Sequence, residues 1–222
     1  MIITLPNGDQ REYPQGATGA DIAKSISEGL ARVAVGIMVN GKPYDLSRPI
    51  NEDASVRILT FDDAEGKDIF WHSTAHLMAE ALEALYPGVK FGIGPPIEQG
   101  FYYDVDLPGG QKLSVEELPR IEAKMQELVK RDVPFERIEI SWDDAVAYFT
   151  EKQDQYKLEL LEGLKGQEVT FYRQGDFTDL CRGTHVQSTG AIKYPKLLSV
   201  AGAYWRGDSD RAMLTRIYGI SF

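Results

Sequence analysis

The chain contains 222 residues, of which 43% are hydrophobic and 26% are charged, a composition that supports a sizeable core in one or two globular domains. A formal net charge of −10 argues against indiscriminate nucleic-acid binding, and a single cysteine excludes an internal disulfide framework and suits a reducing compartment. No apolar run is long enough to cross a membrane and the first residues lack the features of a signal peptide, so we expect a cytoplasmic protein without a membrane partner.

The first 61 residues predict a small β-grasp domain. Thr18 followed by Asp21 has the spacing of a capping box at a helix start. The predicted elements are a strand at 1–5, a turn at 6–9, a strand at 10–13, a helix from Ala20 to Gly29, a strand at 33–39, a turn at 40–41 and a strand at 56–60. β-Grasp domains serve many unrelated functions, and these residues contain no histidine or cysteine, so nothing here looks catalytic.

A polar connection at residues 62–67 is the predicted boundary between domains at 1–61 and 62–222. The following segment, from Asp68 to Tyr86, holds no glycine or proline, and its apolar residues recur at helical intervals. His72 and His76 lie four positions apart in this predicted helix, so their rings should project from the same face.

Residues 89–107 predict paired strands around a shaped loop. The strands are interrupted by three glycines and two prolines, namely Gly92, Gly94, Gly100, Pro95 and Pro96. Glycine at such positions permits a close approach of the backbone to a ligand, and an ordinary hairpin is the alternative.

The rest of the chain predicts alternating helices and strands. Ser114 with Glu117 forms a capping-box pattern for a helix to Arg131, whose apolar stripe should pack on a sheet. Further elements are a strand at 135–140, helices at 143–151 and 155–164, a strand at 169–172, and strand-like runs at 197–218 with a corner at 203–208. By position alone, Lys157 is expected to be a solvated helix residue and Tyr103 a packing residue. The fold class is therefore α+β, with the β-grasp domain followed by a larger domain of antiparallel sheet and packed helices.

All three histidines and the only cysteine occur in two short stretches, His72-Ser73-Thr74-Ala75-His76 and Cys181-Arg182-Gly183-Thr184-His185. Scattered structural residues would not be expected to pair off in this way, so we predict one shared site. The set can form a tetrahedral metal site or a metal-free acid–base site. A thermolysin-like site is disfavoured because Ser73 follows the first histidine, the elements of zinc deaminases are absent, and a cysteine-nucleophile hydrolase stays open.

Residues 165–222 carry eight basic and five acidic side chains, against the acidic balance of the whole chain. This excess surrounds the second histidine stretch. It predicts local attraction for a phosphate-bearing substrate, with chance fluctuation as the alternative.

Five stretches, in this order, resemble the N-terminal region of threonyl-tRNA synthetases. They are residues 72–76, Gly94-Pro95-Pro96-Ile97-Glu98, Gly100-Phe101-Tyr102-Tyr103-Asp104, residues 179–185 and Ala201-Gly202-Ala203-Tyr204-Trp205-Arg206-Gly207-Asp208. The β-grasp domain resembles the TGS domain that opens these enzymes, and residues 62–222 resemble their editing domain. The spacing of the two histidine stretches alone is shared with alanyl-tRNA synthetase editing domains.

The resemblance implies roles for individual residues. The implied catalytic set is His72, His76, Cys181, His185, Asp179, Lys157 and Tyr103. Gly94, Pro95 and Arg182 are implied at the substrate, with Arg182, Arg206 and Arg211 as possible contacts to the tRNA backbone or ordinary surface residues. Lysine can stabilise a developing oxyanion, and Asp179 can orient a histidine or hold the water. The threonyl-type resemblance favours a site without a metal or other cofactor, and zinc on the three histidines and Cys181 is the alternative.

The function implied by the resemblance is proofreading. Serine lacks one methyl group of threonine, and one methylene provides only ~1–3 kcal/mol of discrimination, so a second, hydrolytic site is needed. We expect hydrolysis of seryl esters on threonine tRNA, without aminoacylation because these residues include no class II core or anticodon-binding domain. Full-length relatives are homodimers, and we expect this chain alone to be a monomer. The alternatives are a non-catalytic tRNA- or partner-binding module, a standalone trans-editing deacylase, and a structural-zinc protein.

Overall fold

The computed structural model describes residues 1–222. Its α-helices are α1 (Gly19–Ile26), α2 (Glu28–Val33), α3 (Ala64–Leu85), α4 (Leu118–Arg131), α5 (Trp142–Glu151) and α6 (Gln155–Glu162). Its strands are β1 (Ile2–Thr4), β2 (Gln10–Glu12), β3 (Ala34–Val39), β4 (Lys42–Tyr44), β5 (Ala54–Thr60), β6 (Lys90–Phe91), β7 (Pro96–Ile97), β8 (Gly100–Asp106), β9 (Glu136–Ile140), β10 (Val169–Gln174), β11 (Phe177–Leu180), β12 (Lys196–Tyr204) and β13 (Met213–Ile220).

Two units can be distinguished by their internal contacts. The first contains residues 1–73 and 183–187, and the second contains residues 74–182 and 188–222. These units are defined by contacts alone, and the predicted domain boundary after residue 61 stays a prediction. None of the helices combines the length and the apolar character that a bilayer-spanning segment needs.

The first unit contains a β-grasp sheet with the strand order β2-β1-β5-β3-β4. The central pair β1 and β5 is parallel, and the other pairs are antiparallel. Its core consists of aliphatic side chains such as Ile3, Ile22 and Ile37. The predicted capping box of Thr18 and Asp21 is present at the start of α1. The predicted fold class is confirmed.

Two predictions in this unit are wrong in detail. The helix predicted from Ala20 to Gly29 is interrupted at Ser27, whose backbone is extended and whose hydroxyl accepts from the N–H of Leu30. A serine side chain that caps a new helix competes with continuation of the old one. The polar connection at 62–67 is shorter than predicted because α3 begins at Ala64. A Cβ on Gly66 would lie 1.8 Å from the carbonyl oxygen of Thr60, so this glycine permits close helix–strand packing and does not mark a loop.

The second unit contains two antiparallel sheets. One has the order β12-β13-β8-β6, with β7 paired to β8, and the other has the order β11-β10-β9. The predicted capping box of Ser114 and Glu117 is present, although the first turn is a 3-10 helix, and the apolar stripe of α4 is buried. Helices α5 and α6 pack with β10 around Phe149, Leu161 and Phe171.

Candidate functional site

Helix α3 carries the first histidine pair. It is continuous over 22 residues, so His72 and His76 lie one turn apart on the same face, as predicted. His72 is half-buried, whereas His76 is almost fully buried.

In the first unit, His72 and His185 lie side by side. Their rings are stacked, with centroids 4.4 Å apart and an interplanar angle of 29°. His185 has no solvent exposure. The structure therefore brings together one histidine from each of the two predicted stretches.

Ser73 determines which nitrogen of the neutral His185 ring carries the proton. Its hydroxyl donates to the carbonyl of Ile69 at 2.7 Å. The same oxygen lies 3.0 Å from Nδ1 of His185 and accepts the backbone N–H of Val186 at 3.0 Å. A hydroxyl has one proton and two lone pairs, so Nδ1 of neutral His185 must be the donor in this set. The lone pair of Nε2 can then accept a proton.

Sequence reasoning missed this role of Ser73, which counted there only against a thermolysin-like motif. The available signal was a serine on the apolar face of the predicted helix, four positions from both Ile69 and Leu77. A buried hydroxyl needs hydrogen-bond partners, so such a position indicates a polar contact from another part of the chain.

In the second unit, a ring nitrogen of His76 lies within 4.8 Å of the sulfur of Cys181. The His76 ring lies 5.9 Å from the ring of Phe177 and 6.5 Å from that of Tyr103, measured between centroids. The side chain of Gln174 donates to the His76 carbonyl at 2.9 Å. Cys181 follows the end of β11, is half-buried, and donates its backbone N–H to Thr170 at 3.0 Å.

Lys157, Asp179 and Tyr103 form a buried polar cluster in the second unit. Lys157 and Asp179 are 3% and 2% exposed, and Nζ lies 3.0 Å from Oδ1 of Asp179. The ammonium group also donates to the carbonyl of Gly92 at 2.9 Å and to the Tyr103 hydroxyl at 3.4 Å. The expectation of a solvated Lys157 is therefore wrong. The short helix α6 turns this residue inward, where three acceptors compensate its charge.

Tyr103 both packs and donates. Its ring contacts that of Phe91, with centroids 5.4 Å apart, and its hydroxyl donates to Asp179. Burial, reinforced by the negative charge of Asp179, raises the pKa of Tyr103 well above its usual value. The phenol therefore stays protonated, and a donor, at neutral pH.

The three residues predicted to contact the substrate differ in packing and in exposure. Gly94 allows the backbone to lie against Tyr103, since a Cβ at this position would be 2.4 Å from a ring carbon. The close backbone approach predicted here is thus made to a side chain of the protein itself. Pro95 is half-buried and Arg182 is exposed. The contacts of Gly94, Pro95 and Arg182 with a substrate stay a prediction.

Glu159 of α6 holds a turn that contains two of the predicted tRNA contacts. Its carboxylate lies 3.2 Å from Nε of Arg206 and accepts from Arg211 at 2.8 Å and from the indole N–H of Trp205 at 3.0 Å. These bonds lower the pKa of Glu159 to about 2, mainly through Arg211, so the group is ionised at neutral pH. Arg206 and Arg211 are therefore partners of a carboxylate within the unit.

Metal binding by the predicted set is chemically reasonable. His72, His76, Cys181 and His185 each offer one nitrogen or sulfur atom that can ligate a metal ion. Imidazole and thiolate are the ligands that zinc prefers in proteins.

Comparison with known proteins agrees with the predicted resemblance. Residues 1–60 match the TGS domain, and residues 169–218 match the "Threonyl and Alanyl tRNA synthetase second additional domain". The chain is 60% identical over 220 residues to the threonine–tRNA ligase of Cytophaga hutchinsonii and 59% identical over 220 residues to that of Porphyromonas gingivalis; both matches cover 99% of the chain and 34% of the relative. It is 49% identical over 223 residues to the enzyme of Carboxydothermus hydrogenoformans, covering 100% of the chain and 35% of the relative.

The chain thus combines residues that match a TGS domain with residues that match the second additional domain of threonyl- and alanyl-tRNA synthetases. Over its whole length it matches the N-terminal region of threonine–tRNA ligases. It spans about a third of the length of these curated relatives. The predicted resemblance is therefore confirmed.

Proposed function

We propose that this chain proofreads threonine tRNA by hydrolysing its mischarged seryl ester. The observation that carries the proposal is the hydrogen-bond set of His185, which leaves Nε2 as a proton acceptor in a chain that matches threonine–tRNA ligases. A general base is the group that ester hydrolysis by water requires at neutral pH.

In the proposed reaction, Nε2 of His185 removes a proton from water as the water oxygen attacks the ester carbonyl carbon. The carbon–oxygen bond to the terminal ribose then breaks, and the imidazolium returns the proton to the ribose oxygen. The products are serine and tRNA with a free terminal hydroxyl. His72, which stacks on His185, supports the ring. Roles for His76 and Cys181 stay predictions of the resemblance.

In the second unit, Lys157 and Tyr103 have the chemistry that stabilises a charged intermediate, which is the role that the resemblance implies for them. The tetrahedral intermediate carries a negative charge on the former carbonyl oxygen, and preorganised donors stabilise it. The ammonium of Lys157 and the protonated phenol of Tyr103 are such donors, and Asp179 holds both of them. A water molecule or a substrate oxygen could displace one of these internal acceptors.

The proposed site works without a metal ion. Ser73 orients the His185 ring through a hydrogen bond, so no metal–ligand bond is needed to fix it. Stoichiometric, tightly held zinc in purified protein, together with loss of activity on its removal by a chelator, would show this part of the proposal to be wrong.

Serylated threonine tRNA tests the proposal directly. Purified chain should release free serine under single-turnover conditions, and the His185→Ala variant should not. Hydrolysis no faster than in buffer would reject the enzymatic proposal. Protection of the ester against spontaneous hydrolysis would support the rival, a tRNA-binding module without catalysis.

A further inference from the structure

We propose that Asp45, which directly follows strand β4 of the β-grasp domain, is a positioning residue for this hydrolysis and acts through His185; the inference rests on the proposed function. Oδ1 of Asp45 accepts the backbone N–H of His185 at 2.8 Å. The two residues are 140 positions apart in the chain. Asp45 is 7% exposed and is the only buried charged residue among residues 1–60.

The β-grasp fold holds Asp45 firmly on both sides. Strand β4 ends at Tyr44, directly before it, and pairs with β3. Leu46, directly after it, is buried in the core and accepts the N–H of Ala20 at 3.0 Å. The carbonyl of Asp45 itself accepts from the N–H of Arg48 at 3.0 Å. The carboxylate therefore projects from backbone that is fixed by the sheet, the core and a turn.

The opposite end of this hydrogen bond is the segment that contains the proposed base. The His185 ring is held by Ser73 through Nδ1, and the next residue, Val186, is held by the same hydroxyl. Asp45 supplies the third point of attachment, on the backbone of His185. Ring and backbone are thus fixed by different residues, and neither Ser73 nor Asp45 alone determines the direction of Nε2.

A carboxylate is a strong hydrogen-bond acceptor for the backbone N–H of His185. A buried backbone N–H outside regular structure needs a partner, and a charge-assisted bond is stronger than one to a neutral acceptor. Burial of the carboxylate opposes stability unless the group is well bonded. Displacement of a catalytic group by about 1 Å can lower the rate about 100-fold. The β-grasp domain thereby contributes to the chemistry although it holds no catalytic group.

The test compares Asp45 with a matched carboxylate in the same domain. Asp53 also accepts a backbone N–H, that of Ile2 at 2.7 Å, but this bond is exposed. Asp45→Ala should lower the single-turnover rate at saturating seryl-tRNA at least about tenfold with an unchanged concentration dependence, because the base is misplaced and the substrate contacts remain. Asp53→Ala should leave both parameters at the wild-type value.

Two conservative variants separate positioning from folding. Asp45→Asn keeps an oxygen acceptor at the same distance and should retain activity within about threefold of wild type. Asp45→Glu keeps the charge but moves the carboxylate by one methylene, so it should lose activity as the alanine variant does. If the alanine variant does not fold, this pair carries the test. Wild-type rates in Asp45→Glu and Asp45→Ala would overturn the inference, as would equal losses in the Asn and Ala variants.

Histidine NMR gives a readout that does not need activity. The chain has three histidines, so the ring nitrogen signals of each can be assigned. Asp45→Ala should shift the signals of His185 and the stacked His72 and leave those of His76 unchanged; unshifted His185 signals would overturn the inference. If wild-type protein does not hydrolyse seryl-tRNA, the proposed function fails, and the NMR comparison still tests the coupling of Asp45 to His185.

Discussion

The β-grasp sheet and the region around α6 bury very different side chains. Residues 1–60 have an aliphatic core and bury one charged group, Asp45. The second unit buries five charged residues, namely Glu80, Asp104, Asp154, Lys157 and Asp179. Buried charges oppose stability unless they are compensated, so the pair of Lys157 and Asp179 depends on its partners for its place in the second unit. The one charged exception in the β-grasp domain is bonded to the proposed base.

The sharpest test of this contrast is removal of the base. His185→Ala should lower the hydrolysis of seryl-tRNA by about 10²- to 10⁴-fold, the usual contribution of a general base. His72→Ala should have a similar effect. Circular dichroism and thermal melting should stay close to wild type, because polar site residues serve function more than stability. Wild-type rates in both variants would remove the catalytic assignment.

Lys157→Met should reduce both activity and stability. Loss of an oxyanion donor lowers the rate about 10²- to 10³-fold. Removal of the ammonium also leaves Asp179 as a buried, unpaired carboxylate, which should reduce the free energy of unfolding by about 3–5 kcal/mol. Urea unfolding measures the second effect, with the exposed Lys193→Met as the control. A stable Lys157→Met variant would show that the buried pair is not structurally coupled.

The difference between the hydrolysis rates of seryl and threonyl esters should be a smaller effect. We expect hydrolysis of seryl esters in preference to threonyl esters on the same tRNA, because the additional methyl group must fit a site sized for serine. The rigid backbone at Gly92 to Pro96 is the proposed wall of this site. Single-turnover rates for the two esters provide the measurement. A preference below about tenfold, which corresponds to ~1.4 kcal/mol, would indicate a general esterase.

The smallest expected effect is that of Glu80→Gln on the pH dependence of the free energy of unfolding. Burial raises the pKa of Glu80 to about 7, opposed by a hydrogen bond from the backbone of Asp176 and by the charge of Arg131. The folded state therefore binds a proton more tightly than the unfolded state, so stability should fall as the pH rises from about 4.5 to 7. Glu80→Gln should remove roughly 1 kcal/mol of this dependence, allowing for partial screening by water. Urea unfolding at pH 5 and pH 8 measures it, and the exposed Glu162→Gln should behave as wild type.

Local patterns predicted the elements well but not the contacts between distant residues. The capping boxes, the helical position of His72 and His76, and the sheet strands follow from spacing within a few residues. The contacts of Ser73 and Asp45 with His185 span 112 and 140 positions, and no periodicity encodes them. The burial of Lys157 also depends on acceptors from three other segments. Gly66 misleadingly indicated a loop. Its absent side chain instead permits close packing of helix α3 against Thr60.

Glu159 also changes how the turn at residues 205–211 would respond to salt. One carboxylate forms ion pairs with both Arg206 and Arg211, so these cations already have a counter-charge within the unit. A polyanion that replaced Glu159 as their partner would exchange one ion pair for another. Neutralised phosphates still release their condensed counterions, but the Glu159 carboxylate set free in the exchange takes up cations and offsets part of that release. Binding through this turn should therefore be less steeply dependent on ionic strength than binding through two unpaired arginines.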